Sequence, residues 1–257
     1  MNRVVGLLLL VPAICLAQGP FEGTWKTRVS SLKQSGKPDV FDITQGIYTC
    51  ASCVPEVKVK ADGRDQSVTG HDYYDSVAVQ VLSSTSIEIT NKRASKPATS
   101  VTYSVSDGGA TLSARFTDYS GAQPVNGSFT EKRVGPAPAG AHATSGSWQT
   151  DKLTDMADVG RTITYEMGTD SLKMSWNGQS YDARFDGKEY PIEGDAGHTV
   201  VTLTRLSADT IEETDKRGDK ITDIVRSSVS GDGKTLHVVD NDVVHEVRTE
   251  YILDKQP

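Results

Sequence analysis

In a chain of 257 residues, 27 basic against 34 acidic side chains give a formal net charge of −7, with both signs interspersed and no lysine- or arginine-rich stripe. That balance argues against binding through nucleic-acid phosphates and against docking on an anionic membrane through a polybasic patch. No nucleic-acid partner is expected.

The chain begins MNRVVGLLLLVPAICLAQGP. Arg3 is followed by an apolar run over residues 4–14 and by the small Ala17, the order of a secretory signal peptide over residues 1–17, cleaved after Ala17. Ile14 stands where acylation of Cys15 would need Gly, Ala or Ser, so a lipoprotein signal fits less well. No other apolar run approaches the roughly 20 residues that cross a bilayer. The mature chain is therefore expected to be soluble, without a transmembrane span, and secreted or periplasmic. Cleavage leaves Cys50 and Cys53 as its two cysteines, in an oxidising compartment.

The segment CASC at residues 50–53 follows, and its meaning depends on a duplication. Shifting the chain by 124 positions places KADGRDQSVTG from Lys60 on RFDGKEYPIEG from Arg184, LSSTSIEITNKR from Leu82 on LSADTIEETDKR from Leu206, and SVSDGGATL from Ser104 on SVSGDGKTL from Ser228. Such an ungapped match marks an internal repeat. The openings FEGTWKT and TSGSWQT correspond with one residue of slippage, pairing Trp25 with Trp148. Residues 135–145, GPAPAGAHATS, have linker composition. Two units of normal domain size follow, residues 20–134 and 146–257.

Within each unit the periodicity is that of strands. Val77, Val79 and Val81 alternate with Ala78 and Gln80; Ile87 and Ile89 alternate with Glu88; Val101, Tyr103 and Val105 alternate with Thr102 and Ser104. This period of two marks half-buried antiparallel strands. Asn177-Gly178, Asp186-Gly187 and Asp232-Gly233 are hairpin-turn dipeptides. An all-β chain is expected, folded as two tandem antiparallel up-and-down β-barrels or, alternatively, as two β-sandwiches.

A Gly-x-Trp opening on a meander of about 110 residues that closes on a basic residue resembles the calycin group, the lipocalins and fatty-acid-binding proteins. FEGTWK is similar to the opening of the latter, and the paired DGK segments resemble secreted bacterial lipocalin-like proteins. The resemblance implies that Trp25 and Trp148 plug the closed ends of two barrels, with Arg133 as basic partner in the first repeat. Gln256 stands near that position in the second, so a partner is missing there. The Arg-x-Tyr carboxylate clamp of the fatty-acid binders is absent: Arg248 and Tyr251 are three apart and would face opposite sides of a strand.

The same register places CASC where the second repeat makes its Asn-Gly turn, so Cys50 and Cys53 read as a disulfide across a turn. A thioredoxin-like redox pair would need a βαβ setting that the pattern lacks. No metal site is expected, since zinc needs about four ligands and no second CxxC or close His pair exists. In DVVHEVRTEY, strand parity puts Val243, His245, Val247 and Tyr251 on an inward face. Tyr103, His245 and Tyr251 are therefore the candidate ligand contacts. Glu212 and Glu213 face opposite ways and cannot act together as acid and base. No nucleophile elbow, HExxH or P-loop is present, and no catalytic residue or cofactor is expected. The leading reading is a non-enzymatic binding protein holding a small, mostly apolar ligand in a barrel cavity. The alternatives are an envelope or extracellular interaction module with filled barrels, and a thiol-disulfide redox protein using Cys50 and Cys53.

Overall fold

The computed structural model describes residues 19–257, so the expected signal peptide lies outside the described residues. The chain is all-β, in two antiparallel sheets of ten and eleven strands. Each curls into a nearly closed barrel, the first of the two expected architectures. In the first barrel the gap lies between Val57–Lys60 and Gln66–Ser67, where the Gln66 side-chain amide bonds the Lys60 backbone N–H and C=O at 2.8 and 2.7 Å. In the second, backbone bonds of 3.1 and 2.7 Å between Ser180 and Glu193 close the corresponding gap.

The 124-residue offset recurs in the ladders. Cys50 pairs with Val57 as Met174 pairs with Tyr181, and Ile87 pairs with Tyr103 as Ile211 pairs with Ser227. Leu112 pairs with Val105 as Leu236 pairs with Val229. Asn177 and Gly178 take positive φ values of 34° and 82°, the backbone a tight hairpin turn requires and the reason for Asn-Gly there.

The barrels and the repeats differ in one respect. The opening strand of the first repeat, Gly23–Thr27, lies in the second barrel, between Thr162–Met167 and Val247–Lys255. The corresponding slot of the first barrel, between Asp39–Thr44 and Val125–Arg133, is filled by Gly146–Met156. The physical reason is proximity along the chain. Residues 134–145 join Val125–Arg133 directly to the strand paired beside it, a short closure of low entropic cost. The first barrel then has no vacancy for Gly23–Thr27, while the second barrel has one of matching chemistry. Residues 135–145 are thus a connection inside the first barrel. The chain passes between the barrels twice, at residues 37–38 and at the short helix Asp158–Arg161 with its flanks, whereas the expected boundaries stood at 134, 135–145 and 146.

Each barrel keeps its own core. Trp25, wholly buried, packs in the second with Leu172, Leu203, Leu236 and Leu253. Trp148, equally buried, packs in the first with Phe41, Ile87 and Leu112. Each indole N–H donates to a backbone carbonyl four residues upstream, Phe21 at 2.8 Å and Thr144 at 2.9 Å.

Candidate functional site

Both Trp residues lie under a base. The Arg133 guanidinium sits 4.0 Å from the centre of the Trp148 ring and donates to the carbonyls of Gly109, Ala143 and Ser145 at 2.6, 2.8 and 2.6 Å. Arg133 therefore partners the Trp of the first barrel, which is contributed by the second repeat. In the second barrel Lys255 lies 5.2 Å from the centre of Trp25. The basic partner judged missing there is present one residue before Gln256.

A pocket of about 220 Å³, open to solvent on one side, enters the first barrel, and its lining includes Phe41, Tyr48, Tyr103, the cystine and Asp39. Tyr103 lines this pocket, its ring 5.4 Å from that of Phe41 and 6.4 Å from that of Phe129. Burial pushes the Tyr48 and Tyr103 hydroxyls above the ordinary tyrosine range, so both stay protonated donors. Behind the wall lies a carboxyl pair that strand parity had not singled out. Glu131 is 1% exposed and shares the inward face of its strand with Phe129 and Arg133; Asp39 stands at the rim, open to solvent. Burial first, and then the neighbouring Asp39, push Glu131 up to about 8, so it is protonated at pH 7.

His245 departs from its expected place. The strand Thr235–Asp242 ends before it, and a turn over residues 243–246 carries it out of the second barrel. There it lines the first barrel's cavity. Asp242 holds it, accepting from the His245 backbone N–H at 2.8 Å and meeting Nδ1 at 2.6 Å, an interaction that raises the imidazole pKa. The Asp at the turn's start, bonding the backbone three residues on, was the local signal for this turn.

Cys50 and Cys53 form a disulfide with Cα atoms 5.4 Å apart. Cys50 closes the strand Ile47–Cys50 and is 5% exposed. It ends a strand and lacks the helix N-terminus that lowers the pKa of a redox thiol. Both cysteines nevertheless line the cavity, so the staple is also part of its wall.

A half-open pocket of about 320 Å³ enters the second barrel, lined by Tyr165, Tyr251, Trp176, Met174 and Glu213 among others, with Leu32, Leu153, Met156 and Arg161 at its lining too. Tyr251 thus lines this pocket. Glu213 lies on the strand Thr210–Arg217, whose inward positions Ile211, Glu213 and Asp215 correspond to Ile89 and Asn91 at the last two places in the first repeat. Its carboxylate accepts the Tyr181 hydroxyl at 2.6 Å. Glu212 faces outward and binds Arg226 at 2.6 Å, as expected of adjacent strand residues. Farther along the same wall stand Asp215, Asp223 and Asp240. Burial followed by Glu213 pushes Asp215 up to about 9, and burial followed by Asp223 pushes Asp240 up to about 6.

The two barrels meet through equivalent residues. Arg93 donates to the Ala196 carbonyl at 2.6 Å; its repeat-mate Arg217 reaches Asp72, the repeat-mate of Ala196, at 3.4 Å and lies 4.8 Å from the Tyr73 ring centre. Beside this contact runs a groove of about 750 Å³ lined by Tyr73, Tyr74, Pro97, Tyr119 and Asp195. Among the described residues no group of three or more His, Cys, Asp or Glu is placed to hold a metal ion, and no helix is long and apolar enough to cross a membrane.

No protein-family model matches the chain, and no curated protein matches it. Among solved structures, transferrin binding protein B of Haemophilus parasuis, crystallised as a vaccine-antigen double mutant, matches over 93% of this chain and 78% of its own. Identity is 8% and the TM-score 0.18.

Proposed function

We propose that the protein is a non-enzymatic binding protein, acting outside the cytoplasm, that holds a small, mostly apolar molecule in one or both barrels. The observation that supports this reading is the pair of solvent-open pockets, about 220 and 320 Å³, that enter the two barrels between aromatic and aliphatic side chains with a few polar groups. Such lining is what small-molecule sites use: apolar burial supplies about 25 cal/mol per Å², and isolated polar groups set orientation. Sites for drug-sized ligands run about 300–1,000 Å³, so a long lipid is disfavoured and a compact ligand favoured. Tyr103 and His245 would serve the first cavity and Tyr251 the second.

The test is mass spectrometry of an organic extract of the purified protein. A stoichiometric small molecule is expected. No extractable ligand, together with no binding of apolar probes, would refute the reading. The groove beside the Arg93 and Arg217 contacts favours one alternative, an interaction module that presents Tyr73, Tyr74 and Tyr119 to a protein partner.

A further inference from the structure

The second cavity combines three properties that together select a charge type. Its lining includes the aromatic rings of Tyr165, Tyr251 and Trp176, a ring type that attracts a cation through its quadrupole. Its wall carries the Glu213 carboxylate, served only by neutral donors: the Tyr181 hydroxyl at 2.6 Å and the side chain of Asp215, protonated at pH 7. The one base among the lining side chains, Arg161, is already held by Asp158 at 3.0 and 2.5 Å. Neutral donors satisfy the Glu213 oxygens without bringing a positive charge, and burial raises its pKa, so its ionised form is the one that a ligand cation would stabilise. A ligand carboxylate in this space would face Glu213 and find no free cation. An ammonium group would supply the missing charge and lie among the rings. The first pocket is different, because its lining carries the His245 imidazole as well as Asp39.

We propose that the second barrel takes a small organic ammonium ion with an aromatic or short hydrocarbon body, its nitrogen on Glu213 and its body against Tyr165, Tyr251 and Trp176. The inference rests on the binding function proposed above and assigns the ligand class of one of its two cavities.

The experiment is calorimetric titration of the intact mature chain with three probes of one shape: 2-phenylethylammonium, 2-phenylethanol and 3-phenylpropionate. The ammonium ion is expected to bind at least about tenfold tighter than the alcohol, with the carboxylate weakest. Glu213→Gln should weaken the ammonium ion about 10- to 100-fold and shift the alcohol by less than about threefold, which also shows an intact cavity. Should that variant fail to fold, Tyr251→Leu carries the test, with the ammonium ion losing more affinity than the alcohol. Alcohol or carboxylate binding as tightly as the ammonium ion would overturn the inference and leave the binding function standing. Absence of binding by all three, together with a ligand-free organic extract, would overturn both.

Discussion

Replacing Trp25 should loosen the barrel farther along the chain from it and spare the one that follows it. The indole is wholly buried among second-barrel residues, donates to the Phe21 carbonyl at 2.8 Å and lies beneath Lys255. A tryptophan buries about 150–250 Å², worth roughly 4–6 kcal/mol at 25 cal/mol per Å². Measured Trp-to-Ala costs of about 3–5 kcal/mol agree with that figure. Against a typical stability of about 5–15 kcal/mol this is a large share. Trp25→Ala should therefore lower amide-exchange protection by about two to three and a half decades in Thr162–Met167 and Val247–Lys255, while Asp39–Thr44 and Val125–Arg133 stay protected. Trp148→Ala should give the reverse pattern. The assay is peptide-resolved hydrogen exchange on the folded variants. Loss of protection in Asp39–Thr44 and Val125–Arg133 after Trp25→Ala would refute the exchanged placement of the opening strands.

Changing Cys50 and Cys53 together to Ser removes the cross-link of a very short loop, for which chain entropy gives about 2 kcal/mol. Thermal unfolding should move down by that amount, with the loss confined to the first barrel, and reductant should do the same to the unmodified chain. Because both sulfurs line the first cavity, the variant should also change probe affinity there, whereas the second cavity should be untouched. The acidic wall of the second barrel sets a pH dependence. Asp215 and Asp240 titrate at about 9 and 6 in the folded chain, above their ordinary value of 3.8. The folded state thus holds protons that the unfolded state has released. The associated stability is full below about pH 4 and is lost as pH rises through 6 and 9. Asp215→Asn should raise second-barrel stability at pH 8 by more than about 1.4 kcal/mol, the worth of one pKa unit, with no gain at pH 3. Denaturant titration at the two pH values checks both signs.

Strand parity and the repeat made much of this molecule readable. The 124-residue offset placed Cys50 opposite Met174 at equivalent strand positions, and it found inward Tyr103 and Tyr251. It could not reveal the exchange of opening strands. Duplication gives both barrels the same vacancy and both opening strands the same Gly-x-Trp chemistry, so local sequence is degenerate between the two partners. Connection length decides, and residues 134–145 had looked like a spacer because Pro, Ala and Gly suit a surface loop as well as a linker. His245 was misplaced because a period of two was carried across Asp242 into a turn in which Glu246 takes a φ of 55°. Glu213 and Asp215 were visible as acids on the core side of IEETDKR, where the sister strand has Ile89 and Asn91. Glu131 was hidden by its neighbours Lys132 and Arg133, which make the segment look solvated when its alternate residues are sealed.

The exchanged strand also sets a timetable for synthesis. Arg28, just past Gly23–Thr27, bonds Asp254, 226 residues away in the chain. At roughly 5–20 residues per second, the opening strand emerges about 11 to 45 seconds before its partner exists. The first barrel is complete once Gly146–Met156 has appeared, but the second closes only when the last strand meets the first. Throughout that interval Trp25 has no core to enter, and closure requires one of the longest-range pairings a chain of this length can make. A stop a few residues short of the end would therefore leave a folded first barrel attached to two unpaired strand edges. The C-terminal strand acts as the latch of the molecule, and its loss would expose strand edges that can template edge-to-edge association.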